Sequence, residues 1–402
     1  MTTWQKRGAI GAGGFVGLLA LIWMSIGSDW RSLLSDPPSG TDVLFWTQEQ
    51  RDTGFRMMDR VPFLVEARGI AAGPKVHALP DGETLAIEEA LDTYFGEGRA
   101  VSVVVLQDGK VRAERYGLSF EPDERWTSFS VAKSLTSTLV GAAIKDGYIE
   151  SLDAPVTDYI EGLKGSAYEG VTVRQLLTMT SGVDWNEDYY DPNSDVAQFG
   201  NHVPEGDEPI IVSYMRKLSR AHEPGTVWNY STGETNLIGI LVSEATGKTL
   251  ADYLSEKIWT PYGMEAKASW LIGADDVEIS GCCIQATTRD FARFGQFILD
   301  GGMVDGEPIL PDGWIEEATA RQVGIGFNPS WGYGYQWWTY DDGAFGARGI
   351  FGQTIFIDPA RNLVIANNSS WSSALGDKDG ERTMREEFQR AVQTAIDAER
   401  AG

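Results

Sequence analysis

The chain has 402 residues, with 33 Lys or Arg against 58 Asp or Glu and a formal net charge of −25. A hydrophobic fraction of 42% with 14 Trp, 14 Tyr and 16 Phe excludes a disordered chain, and this length can bury at least one sizeable core. The acidity argues against DNA or RNA as a partner, because binding phosphates needs clustered Lys and Arg. The two Cys, Cys282 and Cys283, are neighbours, which excludes a disulfide framework and a four-thiolate zinc site; we expect both to pack beside the core.

An uncharged stretch follows two basic residues near the N-terminus. Residues 8–27 carry no formal charge and come directly after Lys6 and Arg7. At about 1.5 Å per residue, such a helix can cross a bilayer of roughly 30 Å. Basic residues before it predict a cytoplasmic N-terminus, so we expect residues 1–27 to anchor a periplasmic domain in the inner membrane. The alternative is a signal peptide cleaved near Ser25-Ile-Gly27, which would release that domain into the periplasm.

The next segments are a Pro-bearing stretch and the first regular elements. Residues 28–80 contain several Pro and Gly and few periodic patterns, which predicts a tether and a segment that wraps the main domain. A β-hairpin is predicted at 101–116, because Asp108-Gly109 suits a tight turn between two strands. Residues 130–144 place apolar side chains at helical spacing, which predicts a buried helix.

A serine and a lysine lie three residues apart at the start of this predicted helix. In Phe129-Ser130-Val-Ala-Lys133-Ser134, the side chains of Ser130 and Lys133 are one turn apart on one face. A serine hydroxyl becomes a nucleophile when a base takes its proton, and a buried lysine with a lowered pKa can be that base. The helix start adds backbone N–H groups where an oxyanion would form. The alternative, a capping serine beside a surface lysine, stays open on this motif alone.

Residues 150–284 form a mixed segment in which helices dominate. Helices are predicted at 173–178, 235–244 and 250–258, separated by loops with Pro and Gly. The loop before the second helix reads Trp228-Asn-Tyr230-Ser-Thr232, and its phenol could reach the serine as a proton shuttle. By itself this pattern fits equally a capping turn with a packed tyrosine.

Strands return from residue 331 onward. They are predicted at 332–340, 349–358 and 363–367, and an amphipathic helix is predicted at 381–399. In Ala347-Arg348-Gly349-Ile350, the glycine would let another backbone or a substrate approach closely. A strand N–H here could donate to an oxyanion; an ordinary glycine-kinked strand is the alternative.

Strands at both ends of the chain, with helices between them, predict an α+β fold. We expect a sheet domain built from residues 81–149 and 285–402. The mainly helical domain at 150–284 would interrupt it.

These motifs, in this order, resemble the serine β-lactamase and penicillin-binding-protein-like superfamily, on its class C and esterase side. The resemblance covers roughly residues 45–398 and is closest to the 6-aminohexanoate-dimer hydrolase branch. Four stretches are similar to that branch: Asp184-Trp-Asn-Glu-Asp-Tyr189-Tyr-Asp-Pro192, Ala286-Thr-Thr-Arg-Asp-Phe-Ala-Arg293, Gln336-Trp-Trp338 and Gly349-Ile-Phe-Gly-Gln353. The resemblance implies a β-lactamase/transpeptidase-like fold, with an antiparallel sheet flanked by helices and an inserted, mainly helical domain.

The resemblance also implies roles for the motif residues. Ser130 would be the acyl-accepting nucleophile, Lys133 the general base and Tyr230 the proton relay. The backbone N–H groups of Ser130 and Ile350 would form the oxyanion hole. Tyr189 matches a tyrosine that contacts the substrate amide in the aminohexanoate branch. No metal or other cofactor is implied.

The chain departs from the superfamily where relatives meet their substrates. Ala347 stands where many relatives carry the cation of Lys-Thr-Gly or His-x-Gly, although Arg348 is adjacent. Thr232 replaces the asparagine of Tyr-x-Asn, and Phe351 replaces a histidine of the aminohexanoate enzymes. We therefore expect a β-lactam carboxylate to bind weakly and aromatic residues to line an apolar pocket. The candidates for contacting substrate are Trp185, Tyr189, Tyr190, Thr232, Arg348, Gly349 and Phe351.

The function predicted from these residues is that of an exported serine hydrolase cleaving a small ester or amide through an acyl-enzyme. One alternative is a D-Ala-D-Ala peptidase or β-lactamase, which would share every catalytic residue. The other is a catalytically silent protein that binds an envelope ligand. Retention of nucleophile, base and relay together favours an enzyme. The expected partners are a small-molecule substrate and, through the N-terminal segment, the membrane.

Overall fold

The chain folds into two main antiparallel sheets and a set of helices. The structure is a computed structural model that describes residues 21–38, 43–60, 66–204 and 206–402. The strands are β1 Glu66–Ile70, β2 Ala100–Gln107, β3 Lys110–Tyr116, β4 Trp126–Thr127, β5 Ala268–Ile272, β6 Ile284–Ala286, β7 Met303–Val304, β8 Glu307–Pro308, β9 Val323–Gly324, β10 Trp331–Tyr333, β11 Trp338–Tyr340, β12 Phe345–Arg348, β13 Thr354–Asp358 and β14 Leu363–Ser369. The helices are α1 Ser28–Ser35, α2 Gln48–Gly54, α3 Glu88–Gly96, α4 Ala132–Lys145, α5 Val173–Leu177, α6 Asp195–Gln198, α7 Ile210–Met215, α8 Thr232–Thr246, α9 Leu250–Leu254, α10 Thr288–Leu299, α11 Trp314–Thr319 and α12 Glu381–Ala401.

The larger sheet draws its strands from both ends of the chain. Its order is β3-β2-β14-β13-β12-β11-β10-β9, and every neighbouring pair is antiparallel. Both faces are covered: alternate residues of β2 pack either with α10 or with α3 and α12. The predicted β2–β3 hairpin is confirmed, since Asp108 and Gly109 have φ values of 51° and 71°. Two positive φ values give a turn whose twist matches that of the flanking strands. The predicted α+β fold is confirmed.

The helical part packs beside this sheet. Helix α4 is buried along residues 132–143 and packs against α8, and α5 and α7 also pack against α8. A four-stranded sheet, β1-β5-β6-β4, lies next to them. Strand β1 comes from the segment predicted as a tether, and β5 from the segment predicted as mainly helical. The predicted domain boundaries stay a prediction.

Two predicted strands are each broken by a turn. The prediction at 332–340 is wrong between β10 and β11, where Gln336 has a φ of 63°. The prediction at 349–358 is wrong at its start, because Ile350–Gly352 forms a 3₁₀ turn in which Phe351 has a φ of 57°. Tertiary hydrogen bonds hold this turn: the N–H of Phe351 donates to Ala374 O and that of Trp371 to Phe351 O. Contacts distant in sequence thus override a local strand pattern.

The two cysteines are bonded to each other. A disulfide joins Cys282 and Cys283, a bond that the sequence analysis did not predict. Because the residues are adjacent, the bond closes a ring around one peptide unit and links no distant elements. Cys283 has a φ of 76°, and it is buried beside Phe129 and Trp126.

The predicted membrane segment at 8–27 lies outside the described residues as far as residue 20. Within the described ranges, no helix is both long enough and apolar enough to span a membrane. The N-terminal anchor and the periplasmic location therefore remain predictions.

Candidate active site

Ser130 and Lys133 lie where the chain turns from strand β4 into helix α4. Ser130 belongs to a 3₁₀ turn at Phe129–Val131 that continues directly into α4. This geometry puts the two side chains on one face, with Lys133 Nζ 3.1 Å from Ser130 Oγ. Lys133 is 1% exposed. The predicted pair therefore meets, although the α-helix begins two residues after Ser130.

The ammonium group of Lys133 has two further partners. Its Nζ donates to Thr232 Oγ1 at 2.9 Å and to the carbonyl oxygen of Gly281 at 2.7 Å. Burial lowers the pKa of Lys133 to about 8, although the carboxylate of Glu187 acts in the opposite direction. A neutral lysine has two N–H donors and one lone pair. When the amine is neutral and its two N–H groups donate to Thr232 and Gly281, the remaining lone pair is directed at the Ser130 hydroxyl, 3.1 Å away.

Gly281 can approach this closely only because it has no side chain. A Cβ there would lie 3.0 Å from Thr232 O and 3.2 Å from Lys133 Nζ. Asn236, one turn into α8, holds the segment in place by accepting a hydrogen bond from Gly281 N at 2.8 Å. The sequence around Gly281 gives no sign that its carbonyl accepts a hydrogen bond from Lys133, so the sequence analysis did not predict this contact.

Tyr230 comes to the same place from the loop that precedes α8. The Ser231 hydroxyl caps that helix by accepting a hydrogen bond from the Glu234 N–H at 3.1 Å, which fixes the loop. The Tyr230 ring lies 5.3 Å from Lys133 Nζ and stacks on Trp338 at 5.6 Å. Burial, and then Glu187, raise the pKa of Tyr230, while its hydrogen bond to Ser130 partly offsets them. The phenol therefore stays protonated at neutral pH and can pass a proton on.

Gly349 brings a second backbone segment against Ser130. A Cβ on Gly349 would stand 2.7 Å from Ser128 O and 3.1 Å from Ser130 N. Ile350 follows in the 3₁₀ turn. In the described part of the chain, the N–H groups of Ser130 and Ile350 donate to no backbone carbonyl. Two such donors beside a serine hydroxyl can stabilise an oxyanion.

A cavity of about 610 Å³ opens at Ser130. Ser130, Tyr189, Thr232 and Ile350 are among its lining residues. Most other lining side chains are apolar, among them Val43, Leu44, Phe45, Phe129, Phe199 and Ile210. The charged groups in its lining are four carboxylates, those of Glu66, Asp275, Asp276 and Glu278. Arg68 stands beside two of these, 2.8 Å from Asp276 Oδ1 and 3.0 Å from Glu278 Oε2.

Comparison with known proteins decides the family. The family model described as Beta-lactamase matches residues 91–387. The chain belongs to the beta-lactamase family. Homologues with this fold are serine hydrolases, so this beta-lactamase-family protein is an enzyme of that type. The predicted resemblance and fold class are confirmed.

Some proteins similar to this chain are named as hydrolases of amides or esters. The chain is 32% identical over 308 residues to the 6-aminohexanoate-dimer hydrolase of Paenarthrobacter ureafaciens, covering 73% of this chain and 76% of that protein. It is 27% identical over 242 residues to a lovastatin esterase of Penicillium rubens, covering 54% and 59%. A Bacillus anthracis structure provisionally named a 6-aminohexanoate-dimer hydrolase superposes with a TM-score of 0.75 at 24% identity, covering 90% and 99%. That likeness shows the fold.

The residues predicted to contact substrate lie in two groups in this beta-lactamase-family protein. Tyr189 and Thr232 line the cavity; Trp185, Arg348, Gly349 and Phe351 are not among its lining residues. Trp185 is buried against Phe199 and Tyr214, and Phe351 against Phe55 and Phe129. Tyr190 is exposed and donates to Asp377. Direct contact of these side chains with a substrate stays a prediction.

Arg348 is engaged by two tryptophan rings and a carboxylate. Its guanidinium carbon lies 4.3 Å from the centre of the Trp331 ring and 5.7 Å from that of Trp338. Glu386 is its carboxylate neighbour, at 3.6 Å. A guanidinium stacked and paired in this way is held in place by several kinds of contact at once.

Glu187 is the acidic residue of the site, and it was missed. It lies inside the stretch 184–192, but nothing in the local pattern distinguishes it from Asp184 or Asp188. Its carboxylate accepts hydrogen bonds from Thr232 N at 2.9 Å and Tyr189 OH at 2.8 Å. The Thr232 hydroxyl and the Trp185 indole N–H also donate to it.

Proposed function

We propose that this protein is an exported serine hydrolase that forms an acyl-enzyme on Ser130 and cleaves an ester or small amide with an uncharged acyl group. The observation that carries the proposal is the setting of Lys133. Its amine is buried 3.1 Å from the Ser130 hydroxyl, and both of its N–H groups have acceptors. A lysine in this setting is a base for one particular proton.

The reaction follows from the positions of these groups. Ser130 Oγ attacks the acyl carbon and forms an ester bond while its proton passes to Lys133 Nζ. The oxyanion accepts hydrogen bonds from the N–H groups of Ser130 and Ile350. Tyr230 passes a proton to the leaving oxygen or nitrogen as that bond breaks, and Lys133 restores the phenol proton. Water then attacks the acyl-enzyme and gives a proton to Lys133. The ester bond to Ser130 breaks, the Ser130 oxygen takes that proton back, and the acid is released. No cofactor is needed for any of these steps.

The division of roles between Lys133 and Tyr230 is supported by their environments. Burial favours the uncharged form of each group. For the lysine that form is the amine, which accepts a proton, and its pKa of about 8 makes it available near neutrality. For Tyr230 it is the phenol, which must give up a proton before it can take one. Lys133 is therefore the base and Tyr230 the relay.

The cavity supports an uncharged, mainly apolar acyl group. Its lining carries four carboxylates and no Lys, Arg or His among the described residues. Arg68 pairs with Asp276 and Glu278, which leaves the carboxylates of Glu66 and Asp275 to repel a substrate carboxylate. Arg348 is engaged by Trp331 and Glu386 rather than facing this space. Each CH₂ buried against apolar walls contributes about 0.8 kcal/mol to binding. Esters with a medium-length acyl chain should accordingly be better substrates than penicillins.

Export rests on the sequence alone. The uncharged residues 8–27 behind Lys6 and Arg7 support an anchored or secreted protein. A reporter that is active only after export, fused after Asp42, should be active in cells. An inactive export reporter together with an active cytoplasmic reporter at the same junction would contradict export.

Intact-mass measurement on the soluble domain tests the acyl-enzyme. Incubation with p-nitrophenyl butyrate should add one butyryl group, which peptide mapping should locate on Ser130. Ser130→Ala should carry no adduct. Lys133→Ala should acylate at least 100-fold more slowly, because a general base contributes about 10²–10⁴-fold. A folded Ser130→Ala variant with unchanged turnover would refute the mechanism.

A further inference from the structure

The hydrogen bonds around Thr232 run in one direction. The Thr232 hydroxyl donates its proton to Glu187 Oε1, and its oxygen accepts from Lys133 Nζ at 2.9 Å. A hydroxyl has a single proton to donate. Because Glu187 takes that proton, Thr232 can only accept from Lys133. The sequence Glu187–Thr232–Lys133–Ser130 is therefore a continuous hydrogen-bond chain that ends at the nucleophile.

The carboxylate of Glu187 is itself held as an acceptor. Four donors point at its two oxygens: the backbone N–H and hydroxyl of Thr232, the phenol of Tyr189 and the indole of Trp185. An ionised carboxylate is an acceptor only, whereas an amide in its place would present an NH₂ group to some of these donors. The surrounding donors thus require a carboxylate at this position.

We propose that Glu187 is a positioning residue that fixes the proton of the Thr232 hydroxyl and thereby aims the lone pair of Lys133 at Ser130. Without the carboxylate, the Thr232 hydroxyl can turn and donate to that lone pair, which would withdraw the base from the serine. The inference rests on the proposed acylation of Ser130 by way of Lys133. It also gives a reason for the threonine at the third position of Tyr230-Ser-Thr232. A hydroxyl that donates its proton to a carboxylate is left as a hydrogen-bond acceptor for Lys133.

Glu187 acts on charge as well as on direction. The negative charge of its carboxylate raises the pKa of four groups: Lys133, Tyr230, Tyr189 and Tyr333. Arg348 is the other charge that acts on Tyr230, and it lowers the pKa of that phenol. For Lys133, the carboxylate raises the pKa against the effect of burial. Removing it should lower that pKa, so the acid limb of the acylation rate should move to lower pH even though the rate on the plateau falls.

The rate at which a fluorophosphonate labels Ser130, measured between pH 5 and 9, tests this role without needing the natural substrate. The serine oxygen forms a bond to phosphorus, fluoride leaves, and the proton goes to Lys133. Glu187→Gln should label about 10- to 100-fold more slowly on the plateau, the typical effect of losing a hydrogen bond to a charged group. Glu187→Asp should recover part of the rate because it keeps the charge. Asp184→Asn, which removes an exposed carboxylate three residues away, should behave as wild type.

A double-mutant cycle separates positioning from a structural role. If Glu187 acts through Thr232, Thr232→Val should cost little more once Glu187→Gln is present. An unchanged rate in Glu187→Gln would overturn the inference; so would a slower rate with an unmoved acid limb and additive effects of the two substitutions. Wild-type protein that is not labelled at all would refute the proposed acylation together with the inference. Wild-type protein that is labelled but cleaves no ester would refute only the substrate class.

Discussion

Gly349→Ala is expected to impair the oxyanion hole while leaving the backbone conformation allowed. Gly349 has φ −121° and ψ 155°, an extended conformation that alanine adopts readily, so the substitution acts through volume alone. The new Cβ would stand 2.7 Å from the backbone oxygen of Ser128 and 3.1 Å from Ser130 N. The first contact is short of an ordinary one by roughly 0.7 Å. The obstructing atoms are two backbone atoms and the Cβ of Phe129, none of which can rotate away, so the segments carrying Ser130 and Ile350 must separate.

The magnitude follows from what that separation does to the two donors. Losing one oxyanion donor costs about 10²–10³-fold in kcat, and misplacing reacting groups by about 1 Å costs about 100-fold. We expect kcat/KM for p-nitrophenyl butyrate to fall about 100-fold, mainly through kcat. Overpacking should cost about 1–3 kcal/mol in the free energy of unfolding.

The assay compares Gly349→Ala with Gly69→Ala under identical conditions. Gly69 lies in β1, and a Cβ there would meet no atom within 4 Å, so this control should keep wild-type kinetics. The acid limb of the pH profile should be the same in both variants, because Lys133 keeps its partners. A folded Gly349→Ala protein with kcat/KM within threefold of wild type would refute the assignment of the oxyanion hole.

Three further outcomes are expected. The kcat/KM for an uncharged ester should rise about tenfold from pH 6 to 7 and level off above pH 8, because only the neutral Lys133 amine accepts the proton and its pKa is about 8; a profile flat across this range would contradict the role of Lys133. Burial raises the pKa of Glu234 from 4.5 to about 8, so the folded protein keeps this carboxyl protonated at pH values where the unfolded chain loses the proton. The free energy of unfolding that Glu234 contributes is therefore complete below pH 4.5 and is lost as pH rises through 8. Glu234→Gln should remove this pH dependence, which is worth on the order of 4 kcal/mol. Urea unfolding at pH 5 and pH 9 should then give a smaller difference in unfolding free energy for the variant than for wild type. The p-nitrophenyl hexanoate ester should be cleaved faster than the acetate, by up to about 100-fold, and penicillin G more slowly than either; a penicillin preference that is lost in Arg348→Ala would instead assign substrate recognition to that arginine.

Local rules were sufficient wherever neighbouring residues alone set the geometry. Asp108-Gly109 specified the hairpin because both residues tolerate positive φ, and the helical spacing at 130–144 specified α4. The same spacing placed Lys133 one turn from Ser130. These features depend on the φ and ψ preferences and the periodicity of a few neighbouring residues, and both can be read from the sequence.

The tertiary structure decided everything that joins segments far apart in the chain. The carbonyl of Gly281 meets Lys133, and the carboxylate of Glu187 meets Thr232, only once α8 has packed against α4; no local pattern marks either residue. The turn at Ile350–Gly352 replaced the start of the strand predicted at 349–358, because its hydrogen bonds go to Trp371 and Ala374. The sequence by itself thus determined the fold class, and it singled out Ser130 and Lys133 as the candidate nucleophile and base. The contacts of the Lys133 amine were decided by acceptors 99 and 148 residues away, Thr232 and Gly281, since hydrogen-bond geometry exists only once those segments have packed.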